Sequence, residues 1–397
     1  MKIALIGPYP EDKSCIKGGT ESSVFGLAQE LTKQHETWVM DYPRVGGKDI
    51  EDCDGNLKIY RFRTPGNHYQ DAVKRICDIT ALLRLFRPDA VHIHGTNVFC
   101  YKMYRWCKKH GVKVMLTVHG LAAVEKRNAI RGHFSAHALY QVIKQTFYER
   151  LLLNRVDGCI VDTGYVAEAI KAYRLRHTPT MYVIPQGINE RYFALGENTK
   201  KDEKVILSVG TISTRKGRLQ LLQAFDQVCE QIQGAENVKL VIAGVNKDKP
   251  MFQKVTEYIA HSKNKDKIQL YPDIAQDDLL ELYRGAYVFA LHTQEESQGI
   301  VFAEAMAAGL PVVATRVGGV PYVINDADTN IDQRKAIGKT GTGFLGAFND
   351  IDAMANSLVK VLTNEALHDE LAKNDQEEAK YYSWQTIADN IVKLYQK

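Results

Sequence analysis

Short apolar runs rich in β-branched residues alternate with helical segments along almost the whole chain, and this alternation restricts the fold more than any other feature. In the first half the runs are Ile3–Ile6, Thr37–Tyr42, Leu57–Phe62, Ala90–Ile93, Val112–Val118, Cys159–Val161 and Tyr182–Ile184. The same rhythm restarts in the second half with Val205–Val209, Val238–Ala243, Ile268–Leu270, Val288–Leu291 and Val312–Ala314. Strands that alternate with helices form parallel sheets covered by helices. The sequence therefore predicts an α/β protein with two successive βαβ sheets.

The boundary between the two sheets falls in the segment Asn189–Glu203, which is polar, contains glycine and lacks apolar periodicity. A chain of 397 residues is about twice the size of a common domain. We therefore predict domains over residues 1–187 and 188–378, joined by a linker that leaves a cleft between them. Apolar residues at helical spacing near the end predict a helical segment over 379–397, with Ser383 as its N-cap.

Composition and charge bear on where the protein acts in the cell and on its partners. No apolar run approaches the roughly 18 residues that span a bilayer, and Met1 leads directly into the first predicted strand. The seven cysteines form no C-x-x-C pair, which favours a reducing cytoplasm. The net charge is +4, but residues 1–187 hold 27 Lys and Arg against 18 Asp and Glu, leaving 24 against 29 in the remainder. No nucleic-acid motif accompanies the basic first half, so we predict a cytoplasmic protein without a nucleic-acid partner.

The segment Glu295–Ala305 contains the strongest functional signal. It sets Glu296 just before a predicted helix start and Glu304, eight residues later, two turns inside the helix, with Ser297 as a candidate cap. The backbone N–H groups after the cap would point outward at the positive end of the helix dipole. Backbone donors bind a diphosphate, and carboxylates accept hydrogen bonds from sugar and ribose hydroxyls. The pattern therefore predicts a sugar-nucleotide site.

This segment resembles the E-x7-E motif of retaining glycosyltransferases with the GT-B fold, particularly glycosyltransferase family 4 (glycosyl transferases group 1). Five further motifs follow the order of that family: Gly18-Gly19-Thr20-Glu21, Leu116-Thr117-Val118-His119-Gly120, Ile184-Pro185-Gln186-Gly187-Ile188-Asn189, Val209-Gly210 through Lys216-Gly217, and Val317-Gly318-Gly319-Val320-Pro321. The resemblance implies two Rossmann-like domains that face each other across a cleft, with a C-terminal helix returning to the first domain.

The resemblance also implies roles for individual residues. Glu304 would accept from the ribose hydroxyls, Glu296 and the amides after it would hold the sugar and diphosphate, and Lys216 would neutralise the leaving phosphate. The residues expected to bind the donor are Gly18, Gly19, Arg215, Lys216, Ile274, Glu296, Ser297, Gln298, Gly299, Ile300 and Glu304. The residues expected to act in catalysis are His119, Glu296 and Lys216, with His119 lying against the donor sugar.

Two positions depart from the family pattern. Thr211 occupies the position of an arginine that follows the motif glycine, and the sequence leaves open whether Arg215 substitutes for it. Tyr322 occupies a position at which the family often has a glutamate.

Three other motifs suggest metal binding but are better explained structurally. Asp52-Cys53-Asp54 is a D-x-D in a charged loop and is predicted to be a solvated turn. His92 and His94 face one side of a strand, without a further ligand at metal-site spacing. Residues 326–332 begin like a calcium loop but lack its glycine and final glutamate. We therefore predict no obligatory metal, and the absence of G-x-G-x-x-G after the first strand disfavours an NAD cofactor.

Residues 126–155 are basic and interleaved with aromatic side chains. Their cations are Lys126, Arg127, Arg131, Lys144, Arg150 and Arg155, and Lys74, Arg75, Arg84 and Arg87 add to them. The pattern fits a surface that meets an anionic membrane or a lipid-diphosphate acceptor, and it fits equally a core helix with solvated basic edges.

Taken together, the residues and the resemblance predict a retaining, metal-independent glycosyltransferase. Its donor would be a nucleotide sugar, with UDP as the commonest choice in the family, and its acceptor a glycan or lipid-linked hydroxyl in polysaccharide or cell-envelope synthesis. Peripheral contact with the inner face of the cytoplasmic membrane is a further expectation. The alternatives are a sugar-nucleotide epimerase and a non-catalytic partner that retains nucleotide binding.

Overall fold

The structure is a computed structural model that describes residues 1–13, 16, 18–65, 74–121, 136–195, 203–329, 335–336, 338 and 340–397. The chain divides into two compact units, one formed by Met1–Gly187 with Trp384–Lys397 and the other by Ile188–Ser383. The C-terminal return therefore begins at Trp384 and not at residue 379 as predicted. The reason is that Tyr382, in the short 3-10 helix Lys380–Tyr382, is buried in the core of the second unit.

The first unit is built on an eight-stranded sheet with the order β10-β9-β8-β7-β1-β2-β5-β4. Its strands are β1 Lys2–Gly7, β2 Glu36–Asp41, β4 Ile50–Asp54, β5 Leu57–Arg61, β7 Ala90–His94, β8 Val114–Val118, β9 Gly158–Val161 and β10 Thr180–Val183; a separate pair joins β3 Arg44–Val45 to β6 Arg63–Thr64. Its helices are α1 Gly19–Leu31, α2 Ile76–Phe86, α3 Val98–Lys109, α4 Ala136–Leu153, α5 Gly164–Ala172 and α12 Trp384–Gln396. All pairs in the large sheet are parallel except β4 with β5, which is antiparallel.

The second unit is built on a six-stranded, entirely parallel sheet with the order β13-β12-β11-β14-β15-β16. Its strands are β11 Lys204–Val209, β12 Val238–Gly244, β13 Ile268–Pro272, β14 Val288–Leu291, β15 Val312–Thr315 and β16 Gly343–Gly346. Its helices are α6 Arg218–Gln231, α7 Lys249–His261, α8 Gln276–Gly285, α9 Ile300–Ala307, α10 Ile351–Thr363 and α11 Glu365–Ala379. The prediction of an α/β protein with two parallel, Rossmann-like sheets is confirmed.

Both faces of each sheet are buried, which explains why the strands are continuous apolar runs. In β1, Ala4 and Ile6 belong to one core cluster, whereas Ile3 and Leu5 belong to another. Side chains alternate between the two faces of a strand, so a sheet covered by helices on both sides needs apolar residues at every position.

The structure corrects two local predictions. The D-x-D motif lies on the edge strand β4, paired antiparallel with β5, and is not a turn. The predicted linker begins with an ordered 3-10 helix, Glu190–Leu195, whose Tyr192 and Leu195 are buried in the second unit. Two aromatic or apolar side chains in a polar segment were too few to reveal this packing by periodicity.

The final helix α12 packs on the first unit through Trp384. A Cβ atom added to Gly26 would lie 2.1 Å from the Trp384 ring, and one added to Gly187 would lie 2.5 Å from it. Both distances are well below van der Waals contact, so the indole occupies a slot that only glycine leaves open. Within the described ranges, no helix is both long enough and apolar enough to cross a bilayer.

Candidate active site

The second unit places its polar loops at the carboxyl edge of the sheet. β11 lies between β12 and β14, so the chain order reverses at this point in the sheet. Open α/β sheets bind ligands outside the carboxyl ends of the strands at such a switch point. Two of the loops that leave this edge are 210–217 after β11 and 292–299 after β14.

Lys216 and Arg215 from the first loop meet Glu296 from the second. The Lys216 ammonium donates to Glu296 Oε2, and Arg215 Nη1 lies 3.6 Å from the same oxygen. Arg215 also donates from Nη1 to the backbone carbonyl of Glu295 at 2.6 Å. Burial lowers the pKa of Lys216, an effect that the Glu296 carboxylate opposes and that nearby Arg215 and Arg218 reinforce. The structure thus brings together three of the predicted site residues.

A third cation, Arg218, follows the loop that carries Arg215 and Lys216, and it is completely buried. Its guanidinium donates to Ser208 Oγ at 2.5 Å and to the Gly210 carbonyl at 2.6 Å. In the described part of the chain no carboxylate forms an ion pair with it, and its Nε has no hydrogen-bond partner. Burial lowers the pKa of Arg218 to about 10, so the side chain remains charged at neutral pH.

The cluster therefore has an excess of positive charge. A point placed where a Gly210 Cβ would stand lies 3.3 Å from Arg218 Nη2 and 3.6 Å from Lys216 Cε, so the two cations are neighbours across the loop. Among the described residues, Glu296 is the carboxylate that pairs with Lys216 and Arg215. A buried charge without a partner is unfavourable, and an anion bound at this edge would relieve that cost.

Glycines fix the loops around the cluster. Gly217 has φ +50°, and a Cβ there would lie 2.1 Å from the His292 carbonyl oxygen. A Cβ on Gly318 would lie 2.3 Å from the Glu296 carbonyl, and one on Gly319 would lie 1.9 Å from that of Ser297. The Gly318-Gly319 loop therefore packs directly on the backbone that carries Glu296.

The start of α9 differs in detail from the prediction. The helix begins at Ile300 with Gly299 as its N-cap, at φ +83°, and no side chain caps it. Ser297 is therefore not the cap, because the chain needs a left-handed residue at the turn. Glu304 is the fifth residue of the helix and lies about one turn inside it, not two. By helix geometry the amides of Ile300 and Val301 have no intrahelical acceptor, whereas the Phe302 amide donates to the Gly299 carbonyl at 3.0 Å. Gln298, just before the helix, is buried.

The hydroxyls of two tyrosines hold the Glu304 carboxylate. Tyr283 donates its hydroxyl to Glu304 Oε2 at 3.1 Å, and Tyr192 makes a second hydrogen bond to the carboxylate. Gln276 donates in turn to the Tyr192 hydroxyl at 3.0 Å. Burial raises the pKa of Glu304 to about 7, although the two hydroxyls lower it. The carboxyl group is therefore poised between its neutral and ionised forms near neutral pH.

Three further positions lie at or near this edge. Ile274, expected at the nucleotide base, follows β13 and is partly buried, and Asp273 before it accepts from the Asn246 amide at 3.1 Å. Thr211 contacts Ser213 through their hydroxyls at 3.3 Å. Tyr322 ends the 3-10 helix Val320–Tyr322. The roles of Ile274 and of the amides after Glu296 stay predictions.

The first unit has its own row of polar side chains at the carboxyl ends of neighbouring strands. His94 ends β7, His119 follows β8 and Asp162 follows β9. His119 Nδ1 lies 3.3 Å from Asp162 Oδ2, and His119 Nε2 lies 3.0 Å from His94 Nδ1. Gln186 donates to the same Asp162 oxygen at 2.5 Å. Because an ionised carboxylate only accepts, this network assigns the Nδ1 proton of His119 to the bond with Asp162.

His92 and His94 share one face, as their spacing predicted, with ring centroids 4.3 Å apart. His92 is bonded to Tyr395 Oη and Thr117 Oγ1, both at 2.6 Å. Burial lowers the pKa of His92 to about 3 and that of His94 well below its usual value, so both rings are neutral. Across the described residues, no group of three or more His, Cys, Asp or Glu side chains is arranged to hold a metal.

Gly18 and Gly19 lie at the start of α1. Gly18 is the N-cap in an extended conformation, and Gly19 is the first helical residue. A Cβ on Gly18 would meet no described atom within 4 Å. Nearby, Arg44 and Arg61 are paired with Asp41, and Arg44 also with Glu21.

Sequence reasoning missed four residues of these networks. Asp162 directly follows an apolar strand, a position that could have indicated a role at the carboxyl edge. Arg218 follows the Lys-Gly motif, but its burial could not be anticipated because arginine is rarely enclosed. Tyr192 and Tyr283 are about 90 residues apart in sequence, and no local pattern connects them to Glu304.

The fold and the motif set define the class of protein, which is a GT-B glycosyltransferase. The sequence model described as "Glycosyl transferases group 1" matches residues 194–378, and that of "Glycosyltransferase Family 4" matches residues 17–192. Together they account for most of the chain, which belongs to the group 1 and family 4 glycosyltransferases.

Individual relatives are distant but extend over the whole chain. Spore coat protein SA of Bacillus subtilis is 25% identical over 411 aligned residues, with both chains covered completely. The D-inositol 3-phosphate glycosyltransferase of Corynebacterium diphtheriae is 24% identical, with 100% of this chain and 94% of that protein covered.

Solved structures show the same fold. Sucrose-phosphate synthase of Thermosynechococcus elongatus superposes with a TM-score of 0.76 at 20% identity, covering 100% of this chain and 98% of that one. HepE of Anabaena, in complex with UDP and glucose, superposes with a TM-score of 0.71 at 16% identity, covering 100% and 99%.

Proposed function

We propose that this protein is a retaining, metal-independent glycosyltransferase that moves a sugar from a UDP-sugar to a hydroxyl of a glycan or lipid-linked acceptor. The supporting observation is the excess of positive charge formed by Lys216, Arg215 and Arg218 around one carboxylate at the sheet switch point. A nucleoside diphosphate has the charge and size to neutralise these cations. HepE, which has the same fold, was solved with UDP and glucose.

The proposal assigns roles to three site residues of the second unit. Lys216 contacts the diphosphate and neutralises the charge that develops on it as the sugar leaves. Glu296 holds Lys216 in place and accepts from sugar hydroxyls, while the first amides of α9 bind the phosphates. Glu304 accepts from the ribose hydroxyls, held in orientation by Tyr192 and Tyr283.

Arg218 supplies the positive charge that the family arginine would supply at Thr211. It stabilises the Gly210 loop through the carbonyl at 2.6 Å and raises the electrostatic potential below the phosphates. The departure at Thr211 is thus offset by a cation that approaches the same loop from the buried side.

In the first unit, His119 contacts the donor sugar, and Asp162 positions its ring through Nδ1. The departing phosphate takes the proton of the acceptor hydroxyl, so that the reaction proceeds by positioning and electrostatic stabilisation without a dedicated protein base. We place the reaction in the cytoplasm, in polysaccharide or cell-envelope glycan synthesis.

The test is a thermal-shift panel of UDP, GDP, ADP, NAD and their sugar conjugates, with and without a chelator. A ligand at 100 times its dissociation constant stabilises the fold by about 2.7 kcal/mol. A selective response to UDP and UDP-sugars that survives the chelator supports the proposal. Nucleotide binding without turnover on any acceptor would favour the non-catalytic alternative, and turnover of the sugar nucleotide without an acceptor would favour an epimerase.

A further inference from the structure

His94 and His119 meet through their ring nitrogens at the carboxyl edge of the first sheet. His94 ends β7, His119 follows the neighbouring strand β8, and Asp162 follows the next strand, β9. His94 Nδ1 lies 3.0 Å from His119 Nε2, and the two ring planes are inclined by only 15°, with centroids 5.2 Å apart. The centroid distance exceeds the nitrogen distance by about two ring radii. The rings therefore lie end to end, and the contact is a hydrogen bond in the plane of both.

His94 is enclosed and fixed by its neighbours. The residue is 1% exposed, and Tyr42 donates its hydroxyl to the His94 carbonyl. A Cβ added to Gly7, at the end of β1, would lie 3.1 Å from the His94 Cβ, so β1 packs closely against this residue. The nearby His92 ring has both of its nitrogens bonded to hydroxyl groups. His92 therefore does not compete for the hydrogen bond between His94 and His119.

The proton positions follow from the partners of the ring nitrogens. His119 Nδ1 lies 3.3 Å from Asp162 Oδ2, and an ionised carboxylate only accepts, so this nitrogen carries a proton. In the neutral ring His119 Nε2 is then an acceptor, and the proton between the two rings belongs to His94 Nδ1. His94 Nε2 is left bare, and this buried nitrogen has no hydrogen-bond partner among the described residues.

The opposite arrangement is less favourable. Burial holds the pKa of His94 well below its usual value, so this ring carries a single proton. If that proton were on Nε2, it would be a buried donor without an acceptor, and the His119 proton would have to move to Nε2. His119 Nδ1 would then present its lone pair to the Asp162 carboxylate. An unpaired buried acceptor is tolerated more often than an unpaired donor, which favours the first arrangement.

We propose that His94 is a positioning residue for sugar transfer, which donates from Nδ1 to His119 Nε2 and fixes His119 as the neutral ring with its proton on Nδ1. Both nitrogens of His119 are then occupied, by His94 and by Asp162. The donor sugar meets carbon atoms of the ring, and His119 exchanges no proton with the substrate. The role in transfer rests on the proposed function, whereas the assignment of the protons does not.

The first experiment locates the protons by NMR. In long-range ¹H–¹⁵N spectra of the full-length protein labelled with ¹⁵N-histidine, protonated and bare ring nitrogens resonate far apart. The signals of the two rings are identified by their loss in His94→Asn and in His119→Ala. We expect the proton on Nδ1 in both rings. A proton on Nε2 of either ring would overturn the proposal, and the measurement needs neither nucleotide nor acceptor.

Two amide variants separate hydrogen bonding from packing. In His94→Asn the side-chain NH₂ takes the place of Nδ1, whereas in His94→Gln it takes the place of Nε2 and does not meet His119. We expect His94→Asn to keep the transfer rate within about threefold of the wild type and His94→Gln to lower it about tenfold, with UDP affinity unchanged in both. Thermal stability should follow the opposite order, because asparagine is smaller and leaves a larger cavity. If His94→Gln were the more active variant, packing would explain the effect and the proposal would be wrong.

The matched control is Tyr395→Phe. It removes a buried hydrogen bond from His92 in the same part of the sheet but leaves the bond between His94 and His119 intact. Its transfer rate should stay within about threefold of the wild type. A loss equal to that of His94→Gln would contradict the proposal, since any disturbance of this core would then have the same effect. Absence of transfer by the wild type to any acceptor would refute the proposed function, while the NMR spectra would still support or overturn the proton assignment.

Discussion

Replacing Arg218 with methionine removes a buried charge while keeping most of the side-chain volume. Burial lowers the pKa of Arg218 from its ordinary value to about 10, which corresponds to an unfavourable free energy of about 3 kcal/mol for the charged form. Its two hydrogen bonds, to Ser208 and to the Gly210 carbonyl, each contribute about 1.5 to 3 kcal/mol because the donor is charged. The opposing effects nearly cancel, so we expect Arg218→Met to change the stability of the unliganded protein by only about 1 kcal/mol.

Nucleotide binding should respond more strongly than stability. Two unit charges about 8 Å apart attract by about 2 kcal/mol at an effective dielectric constant of about 20. Loss of the Arg218 charge should therefore weaken UDP binding about 30-fold in calorimetric titrations. Ser208→Ala removes a hydrogen-bond acceptor without changing the charge and should leave the UDP affinity within about threefold.

A second substitution tests whether the charge of Arg218, and not its packing, affects UDP binding. Adding Thr211→Arg to the Arg218→Met protein restores a guanidinium at the position where the family has one, and should recover much of the lost UDP affinity. An unfolding midpoint that drops in Arg218→Met while UDP affinity stays at the wild-type value would refute the reasoning. Arg218 would then be a packing residue without influence on the ligand.

Three other predictions concern single positions. Because folding raises the pKa of Glu304 to about 7, the unliganded protein should lose about 3 kcal/mol of stability as pH rises from 4.5 through 7, and Glu304→Gln should abolish that slope in denaturant titrations. His119→Ala should reduce the transfer rate at least about 100-fold with UDP affinity nearly unchanged, and Asp162→Asn should reduce it about tenfold; full activity in His119→Ala would remove the histidine from the mechanism. Trp384→Ala should cost about 3 to 5 kcal/mol of stability, more than Trp106→Ala on α3, whose ring is only partly buried.

The sheets were predictable because their signal is local. Runs such as Val288–Leu291 and Val312–Ala314 are apolar at every position, since both faces of each sheet are covered. Other elements, such as β4, were not predicted because they lack an apolar run. Strand β4 carries Asp52 and Asp54 on an exposed edge, where polar side chains replace the apolar pattern.

The motifs of the site were predictable from the sequence, but most of the contacts between its side chains were not. The E-x7-E spacing and the Lys216-Gly217 pair can be read directly from the sequence. The structure brings Lys216 and Glu296 into contact, as expected for two residues of one site. The partners of Glu304 come from the segment after residue 189 and from α8, so only the tertiary fold unites them. The same holds for Asp162, which contacts His119 from the end of β9, and for Gln186, which follows β10 and donates to Asp162.

The most direct test of the donor site is a calorimetric titration of UDP into the wild-type protein and into Lys216→Met, both with a chelator present. The cation cluster predicts metal-free binding by the wild type and a loss of at least about tenfold in affinity in the variant, because Lys216 carries one of the three positive charges of the cluster. Equal affinities, or wild-type binding that disappears with the chelator, would contradict the assignment of this cluster as a metal-independent diphosphate site.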